Sequence, residues 1–523
     1  MTGVSAFDSR LAAIAIFALA LYSMPARAGW LEASSQHFII YSDTSEKALR
    51  EFASRLESFD SGLRRIFMAK TAPEDAGRRS NRLRIFVLVN PGSVQRLYSS
   101  RDSTVMGFYL PRVGGSVAFT PRRSPGNVSE NDLSAQTILL HEYTHHFLFT
   151  NFSAAYPPWF SEGFAELNST TRFERNGDVS FGLPANHRVR SLFGMQFLKI
   201  EDLLDSSRRK LDSISLDELY SRGWLLTHYL FFTPGRQEQL LKYIGAINNG
   251  TPNLEAARAN FGDLGELDRE LDRHLKRPIS FIRIPAKDVP TGPIDIKPLT
   301  AGAAAMMPVH IRSTRGVDSE GAREVVLDAR KLAAPYPSDP DVQVQLAEAE
   351  FDAGNLDEAE AAADRALSID GMNREALLYK GRVAMARATA AHSKDAKVWN
   401  SARMWFVKAN KTDPNVAEPL ALFYMSFQEA GEEPTKNAVL GLKRAFELAP
   451  EDRNLRYTVA LQALNDDMPK LARSVLAPLA YDPHNSQKAQ RLLAAIDLLD
   501  AGKKAEAIDA LKADPEPASQ PGS

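Results

Sequence analysis

The sequence contains no cysteine among its 523 residues, which excludes disulfide scaffolds, thiolate metal sites, cysteine nucleophiles and CxxC redox motifs. Any metal chemistry therefore falls to His, Asp and Glu. An excess of one charge is also missing. The 63 basic and 65 acidic side chains leave a formal net charge of −2, so no global field steers the chain onto nucleic acid. The local basic clusters (Arg78, Arg79, Arg82 and Arg84; Arg122 and Arg123; Arg208 to Lys210) lack interleaved aromatics and read as solvated faces. No segment after Leu21 approaches the roughly 18 uninterrupted apolar residues of a membrane span. What is present, 44% hydrophobic and 24% charged residues, describes a globular chain. Its length predicts about three to four domains.

The first 28 residues read as a removable signal peptide. Arg10 precedes an apolar run from Leu11 to Leu21, Pro25 breaks it, and Ala26-Arg27-Ala28 is the small-x-small pattern that a signal peptidase accepts. The run is too short to span a bilayer, so export to the periplasm or beyond is expected, with cleavage after Ala28. From Trp30 the pattern is mixed α and β. Strands are expected at His37–Tyr41, Leu83–Val89 and Val117–Thr120, with a helix from Thr44 to about Met68. After about Ser129 apolar residues recur at helical spacing almost to Lys276. This places a first domain over 29–278. Residues 279–317, rich in Pro, Gly and Ala, are expected to form a linker or a small β element.

Beyond Asp318 small residues recur at a fixed period. Ala359, Ala363 and Ala366 are followed by Ala402, Phe406 and Ala409, then by Ala438, Leu442 and Ala445, then by Ala472, Leu476 and Leu479. The intervals are 43, 36 and 34 residues, the first lengthened by a loop around Ala388 to Lys397. Each unit reads as two antiparallel helices, and stacked units bury a core that no single pair could bury. Period and small-residue spacing resemble tetratricopeptide repeats over 318–511, with a disordered tail expected at 512–523.

Within the helical stretch that opens near the box Ser129-Glu130-Asn131-Asp132 lies His141-Glu142-Tyr143-Thr144-His145-His146. In an HExxH helix the two histidines lie one turn apart on one face, so both imidazoles can converge on a zinc ion at about 2.0 to 2.1 Å. Glu142, rotated by about 100°, is placed to act on a water rather than to bind metal. His146 points off the ligand face and reads as structural. A third ligand is needed. Pro157 and Pro158 open a second helix through Leu167, with Phe160, Phe164 and Leu167 as its buried stripe. Glu162 and Glu166 fall one turn apart on another face, where a shared cation would relieve their repulsion. The alternative is two acids favoured near a helix N-terminus. Gly163 costs about 1 kcal/mol relative to Ala in a helix and suits a close helix approach.

His141-Glu142-Tyr143-Thr144-His145, followed after 16 residues by Glu162 within Trp159-Phe160-Ser161-Glu162-Gly163-Phe164-Ala165, resembles the gluzincin zinc metallopeptidases of the peptidase MA-like group. That group includes the aminopeptidases with a W-x-x-E-G-x-A signature. The resemblance covers 29–278. It implies an α+β metallopeptidase-like N-terminal domain, a small sheet plus an HExxH helical part, ahead of the all-α tetratricopeptide solenoid. It also implies one Zn2+ per chain on His141, His145 and Glu162, with Glu142 as catalytic base and Glu166 as an acceptor that orients a ligand histidine. A later helix usually supplies an oxyanion donor, and Tyr220 and His228 are the candidates. The G-x-M-E-N stretch of aminopeptidases is absent, so an endopeptidase is expected.

The expected substrate is a protein or peptide, adding as a strand to an edge near Gly115–Phe119. A protein partner is expected on the concave surface of the repeats. Two other classes compete: a non-catalytic repeat scaffold whose metallopeptidase-like zinc domain is idle, and a metal-assisted amidase acting on cell-wall peptides. Glu142, which a purely structural site would not need, favours the peptidase.

Overall fold

The computed structural model describes residues 29–69, 82–98, 105–122, 134–152, 154–194, 198–206, 212–481 and 486–512. The expected signal peptide, the box at Ser129–Asp132, the basic residues Arg78, Arg79, Arg123 and Arg208 to Lys210, and tail residues 513–523 lie outside them.

Strands β1 (Leu31–Ser34) and β2 (Phe38–Ser42) lead into α1 (Glu46–Phe67), followed by β3 (Leu83–Leu88), α2 (Pro91–Tyr98), β4 (Phe108–Leu110) and β5 (Val117–Pro121). Ser45, one residue past the expected Thr44, caps α1 by accepting from Ala48 N at 3.3 Å. Helices α3 (Ala135–Asn151) and α4 (Pro158–Ser169) follow. Next come the hairpin β6 (Arg172–Phe173) and β7 (Val179–Phe181), then α5 (Val189–Leu192), α6 (Ile200–Leu204) and α7 (Ser213–Phe232). Helices α8 (Arg236–Asn248), α9 (Asn253–Phe261) and α10 (Leu264–Leu275) precede β8 (Ile282–Ile284) and β9 (Asp295–Pro298).

The main sheet runs β4-β5-β3-β2-β1-β9, with β2, β3 and β5 mutually parallel and antiparallel strands at both sides. Its parallel centre reads as continuous apolar sequence because both faces are covered. Ile85 and Val87 pack with Phe59 of α1 and Leu139 and Tyr143 of α3. On the other face Phe86 and Phe119 pack with Met307 and Ile311 of α11 (Ala301–Arg315).

The segment 279–317, read as linker or small β element, thus supplies three built elements. β8 pairs with β7, β9 pairs with β1 from Leu31↔Pro298 to Ser34↔Asp295, and α11 roofs the sheet. Pro298 sits at the end of an edge strand, where proline costs little, whereas Pro308 lies inside α11 and removes a backbone donor there.

From α11 onward the described chain is helical: α12 (Ser319–Ala333), α13 (Pro340–Asp352), α14 (Leu356–Ile369), α15 (Arg374–Ala390), α16 (Ala396–Thr412) and α17 (Ala417–Ala430). It continues with α18 (Lys436–Leu448), α19 (Arg453–Asn465), α20 (Pro469–Ala480), α21 (Ser486–Asp500) and α22 (Lys504–Lys512). The repeated small residues form the seam. Ala359, Ala363, Ala366, Ala402, Phe406, Ala409, Ala438, Leu442, Ala445, Ala472 and Leu476 are at most 1% exposed. Helices α11, α13, α15 and α17 touch in succession more than the intervening helices do, which curves the array with these first helices inside. The C-terminal end of the array returns to the first domain, where Arg473 Nη1 donates to Asn248 O at 3.0 Å and Tyr481 Oη to Asn253 Oδ1 at 3.3 Å. Among the described residues no helix is long and apolar enough to cross a membrane.

Candidate metal centre

Three helices build the site. Ser134 starts α3 by accepting from Thr137 N at 3.0 Å, and Pro158 at the first position starts α4. The face of α3 away from the site is anchored by Tyr143, whose hydroxyl donates to Asp60 Oδ1 at 2.6 Å while Arg64 Nε donates to Asp60 Oδ2 at 2.6 Å. Helix α4 is buried along its whole length, wedged between α3 and α7. The α4–α7 crossing is made by glycines. A Cβ on Gly163 would lie 2.2 Å from Gly223 O and 2.5 Å from Thr227 Oγ1, and one on Gly223 would lie 2.5 Å from Trp159 O.

This packing brings His141, His145 and Glu162 together as a group that could hold a metal ion. His141 Nε2 lies 3.2 Å from His145 Nε2 and 3.2 Å from Glu162 Oε2, and His145 Nε2 lies 3.4 Å from the same oxygen. Two ligands bound at 2.0–2.1 Å with a tetrahedral angle stand about 3.3–3.4 Å apart. The triangle of donor atoms therefore has the edge length of a tetrahedral ion's ligand face, and two imidazoles with one carboxylate are a donor set for a borderline-soft divalent cation.

The other ring nitrogens are held as well. His141 Nδ1 faces Glu166 Oε1 at 3.5 Å, and His145 Nδ1 faces Ser161 Oγ at 3.4 Å. Glu166 is only 1% exposed. Burial pushes its pKa up, but the His187 hydrogen bond at 2.7 Å, Arg188 at 2.6 Å and His141 outweigh this and bring it down to about 2. Burial likewise lowers the His141 pKa, and Glu162, Glu166 and Glu142 together raise it. Glu142 is half-buried and acts electrostatically on both His141 and Tyr220.

Helix α7 carries both oxyanion candidates, but eight residues on a helix separate them by about 12 Å. The Tyr220 ring centroid stands 5.9 Å from that of His141, with the Arg188 guanidinium 4.8 Å from the tyrosine ring centre. Burial, Glu162 and Glu142 push the phenol pKa well above its usual value, so it remains a donor. His228 is not brought to the cluster. Its Nε2 donates to Ser280 O at 2.9 Å and its Nδ1 faces His274 Nε2 at 2.8 Å, which ties α7 to α10 and the approach to β8. Burial lowers its pKa to about 4.

The expected strand edge also moves. β5 lies between β3 and β4, so the edge beside the site is β4, Phe108–Leu110, rather than Gly115–Phe119. The sequence pattern singles out neither His187 and Arg188 nor Ser161 as the neighbour of a ligand histidine. The signal for His187 and Arg188 is the burial of α4 on every face, which the fold reveals and the sequence pattern does not: a carboxylate there calls for a cationic partner.

No family model matches the chain, and no curated protein matches it. Among solved structures, the MamA RS-1 ArsTM double mutant aligns at 16% identity over 36% of this chain and 97% of that one, with a TM-score of 0.27. MamA 41-end from Desulfovibrio magneticus RS-1 aligns at 14% identity over 39% of this chain and 98% of that one, with a TM-score of 0.26.

Proposed function

We propose that this chain is an exported, zinc-dependent metallopeptidase of gluzincin type, an endopeptidase acting on protein or peptide, with the repeat array as its protein-binding part. The observation that carries the reading is the triangle of His141 Nε2, His145 Nε2 and Glu162 Oε2, with edges of 3.2 to 3.4 Å, formed by residues in the HExxH and W-x-x-E-G-x-A spacing. Zinc, when bound, supplies a Lewis acid for the nucleophilic water and the scissile carbonyl. Glu142 takes the water's proton and passes it to the leaving nitrogen. Tyr220, kept protonated by burial and by Glu162 and Glu142, donates to the carbonyl oxygen as charge develops there. Glu166, clamped by His187 and Arg188, fixes the ring of His141.

The test compares wild type with Glu142→Gln for metal content and for hydrolysis of an unfolded protein such as casein. One zinc per chain in both, with hydrolysis lost in the variant, is the expected outcome. A variant as active as wild type, or wild-type protein without stoichiometric metal, overturns the proposal.

A further inference from the structure

The turn between β4 and β5, residues Pro111–Ser116, is seated in the inner face of the repeat array. Val113 packs against the core formed by α17 to α22, and its N–H donates to Asp452 Oδ2 at 2.8 Å. Asp452 is itself fixed as the cap of α19, accepting from Leu455 N at 2.6 Å. Gly114 backs so closely onto α17 that a Cβ there would lie 2.8 Å from Glu418 Oε2. From the sheet side, Arg84 Nη2 donates to Gly114 O at 3.1 Å and Gly115 O at 3.0 Å, while Arg112 Nη2 donates to Arg315 O at 2.7 Å.

A hydrogen-bond chain leads from this seat to the helix that carries the candidate ligands. Ser116 Oγ donates to Glu451 Oε1 at 2.9 Å, Tyr109 Oη donates to Ser116 Oγ at 3.2 Å, and His146 Nδ1 lies 2.9 Å from Tyr109 Oη. Because the tyrosine proton goes to Ser116, His146 must donate through Nδ1. All three bonds then point the same way and end on the Glu451 carboxyl group, the arrangement in which each polarises the next. His146 is the neighbour of His145 on α3, so the repeat array reaches the site helix through three side chains.

We infer that the repeat array works in cis as a clamp on the metal-binding helix, with Tyr109, Ser116 and Glu451 as positioning residues that act through His146. The inference rests on the proposed metal site for its functional meaning. While the clamp is closed, the inner face holds the chain's own turn, so a partner expected on that concave surface would have to displace it.

The test uses the full chain and the variants Glu451→Ala, Glu451→Gln and Tyr109→Phe. Gln keeps an acceptor for Ser116, and Phe breaks the chain from the sheet side without touching the array. Two quantities are read: amide hydrogen exchange along α3 in metal-free protein, and zinc affinity by chelator competition. Glu451→Ala and Tyr109→Phe should each speed exchange around His145 and His146 and weaken zinc binding by about tenfold, at the low end of effects from groups that orient ligands. Glu451→Gln should stay within about twofold of wild type. Unchanged exchange in Glu451→Ala and Tyr109→Phe overturns the clamp, as does equal damage from Ala and Gln at 451. A wild-type chain that binds no zinc defeats the metallopeptidase reading instead, and the exchange result still decides the clamp.

Discussion

The glycine crossing gives the most demanding check on the site. In Gly163→Ala the new Cβ would lie 2.2 Å from Gly223 O, about 1.2 Å short of ordinary contact at 3.4 Å. The nearest blocking atoms, Gly223 O and C, are backbone, so no side-chain rotation relieves the clash. So α4 and α7 must part by roughly an ångström, a change of the kind that costs about 1–3 kcal/mol when a packed core is overfilled. Ala gains about 1 kcal/mol of helix propensity over Gly, leaving a net destabilisation of about 0–2 kcal/mol. The larger effect falls on the metal. Glu162 adjoins Gly163, and a displacement of its carboxylate on the order of an ångström exceeds the ~0.2 Å tolerance of a metal–ligand distance.

A hundredfold loss of zinc affinity is the expected scale, by comparison with mutations of groups that orient ligands. At a free zinc concentration of 100 times the wild-type Kd, zinc stabilises wild type by about 2.7 kcal/mol and such a variant by only about 0.4 kcal/mol. Denaturant unfolding with and without zinc, together with chelator competition, measures both quantities. Gly245→Ala serves as the control, since a Cβ there meets nothing within 4 Å, and it should stabilise the chain by up to about 1 kcal/mol with zinc affinity unchanged. Should Gly163→Ala behave like Gly245→Ala, the close crossing is not what places Glu162, and the reasoning fails.

Two further outcomes follow from the placement of single groups. His228→Gln should leave zinc affinity within about twofold of wild type while lowering stability by about 1–3 kcal/mol, because the partners at Ser280 and His274 lose a buried hydrogen-bonding ring. A selective loss of zinc affinity in that variant would return His228 to the site. Burial lifts the Glu451 carboxyl from 4.5 to about 7, so between those values the folded state binds more protons than the unfolded one. Its contribution to stability is full below about pH 4.5 and is lost as pH rises through about 7. Denaturant titrations from pH 4.5 to 8 should therefore show wild type losing stability relative to Glu451→Gln, and a difference of the opposite slope would contradict the burial of this group.

How much of this could be read from the sequence depends on whether the information was local. The donor cluster was legible because each half of it lies within one helix: His141 and His145 are one turn apart, and Glu162 sits in a helix announced by Pro157 and Pro158. The repeat seam was legible for the same reason, since Ala359 and its counterparts are small where helices touch. Strands of two to four residues such as β1, β4 and β6 carry too little pattern to register, and what defines them is often a distant partner, as when β1 pairs with β9. Composition divides the chain near Pro278, yet the hydrogen bonds of β8 and β9 cross that division because proline and glycine report local turns and not what a segment pairs with. The clamp lies furthest beyond such a reading. Val113 meets Asp452 across 339 residues and Ser116 meets Glu451 across 335, and nothing in either short segment names the other. Burial on α4 required that Glu166 have a cation, but only the fold could choose Arg188 and His187. By the same logic His146, read as a structural histidine beside the ligands, acquires a partner chain only when the β4 edge and the repeat array are both in place.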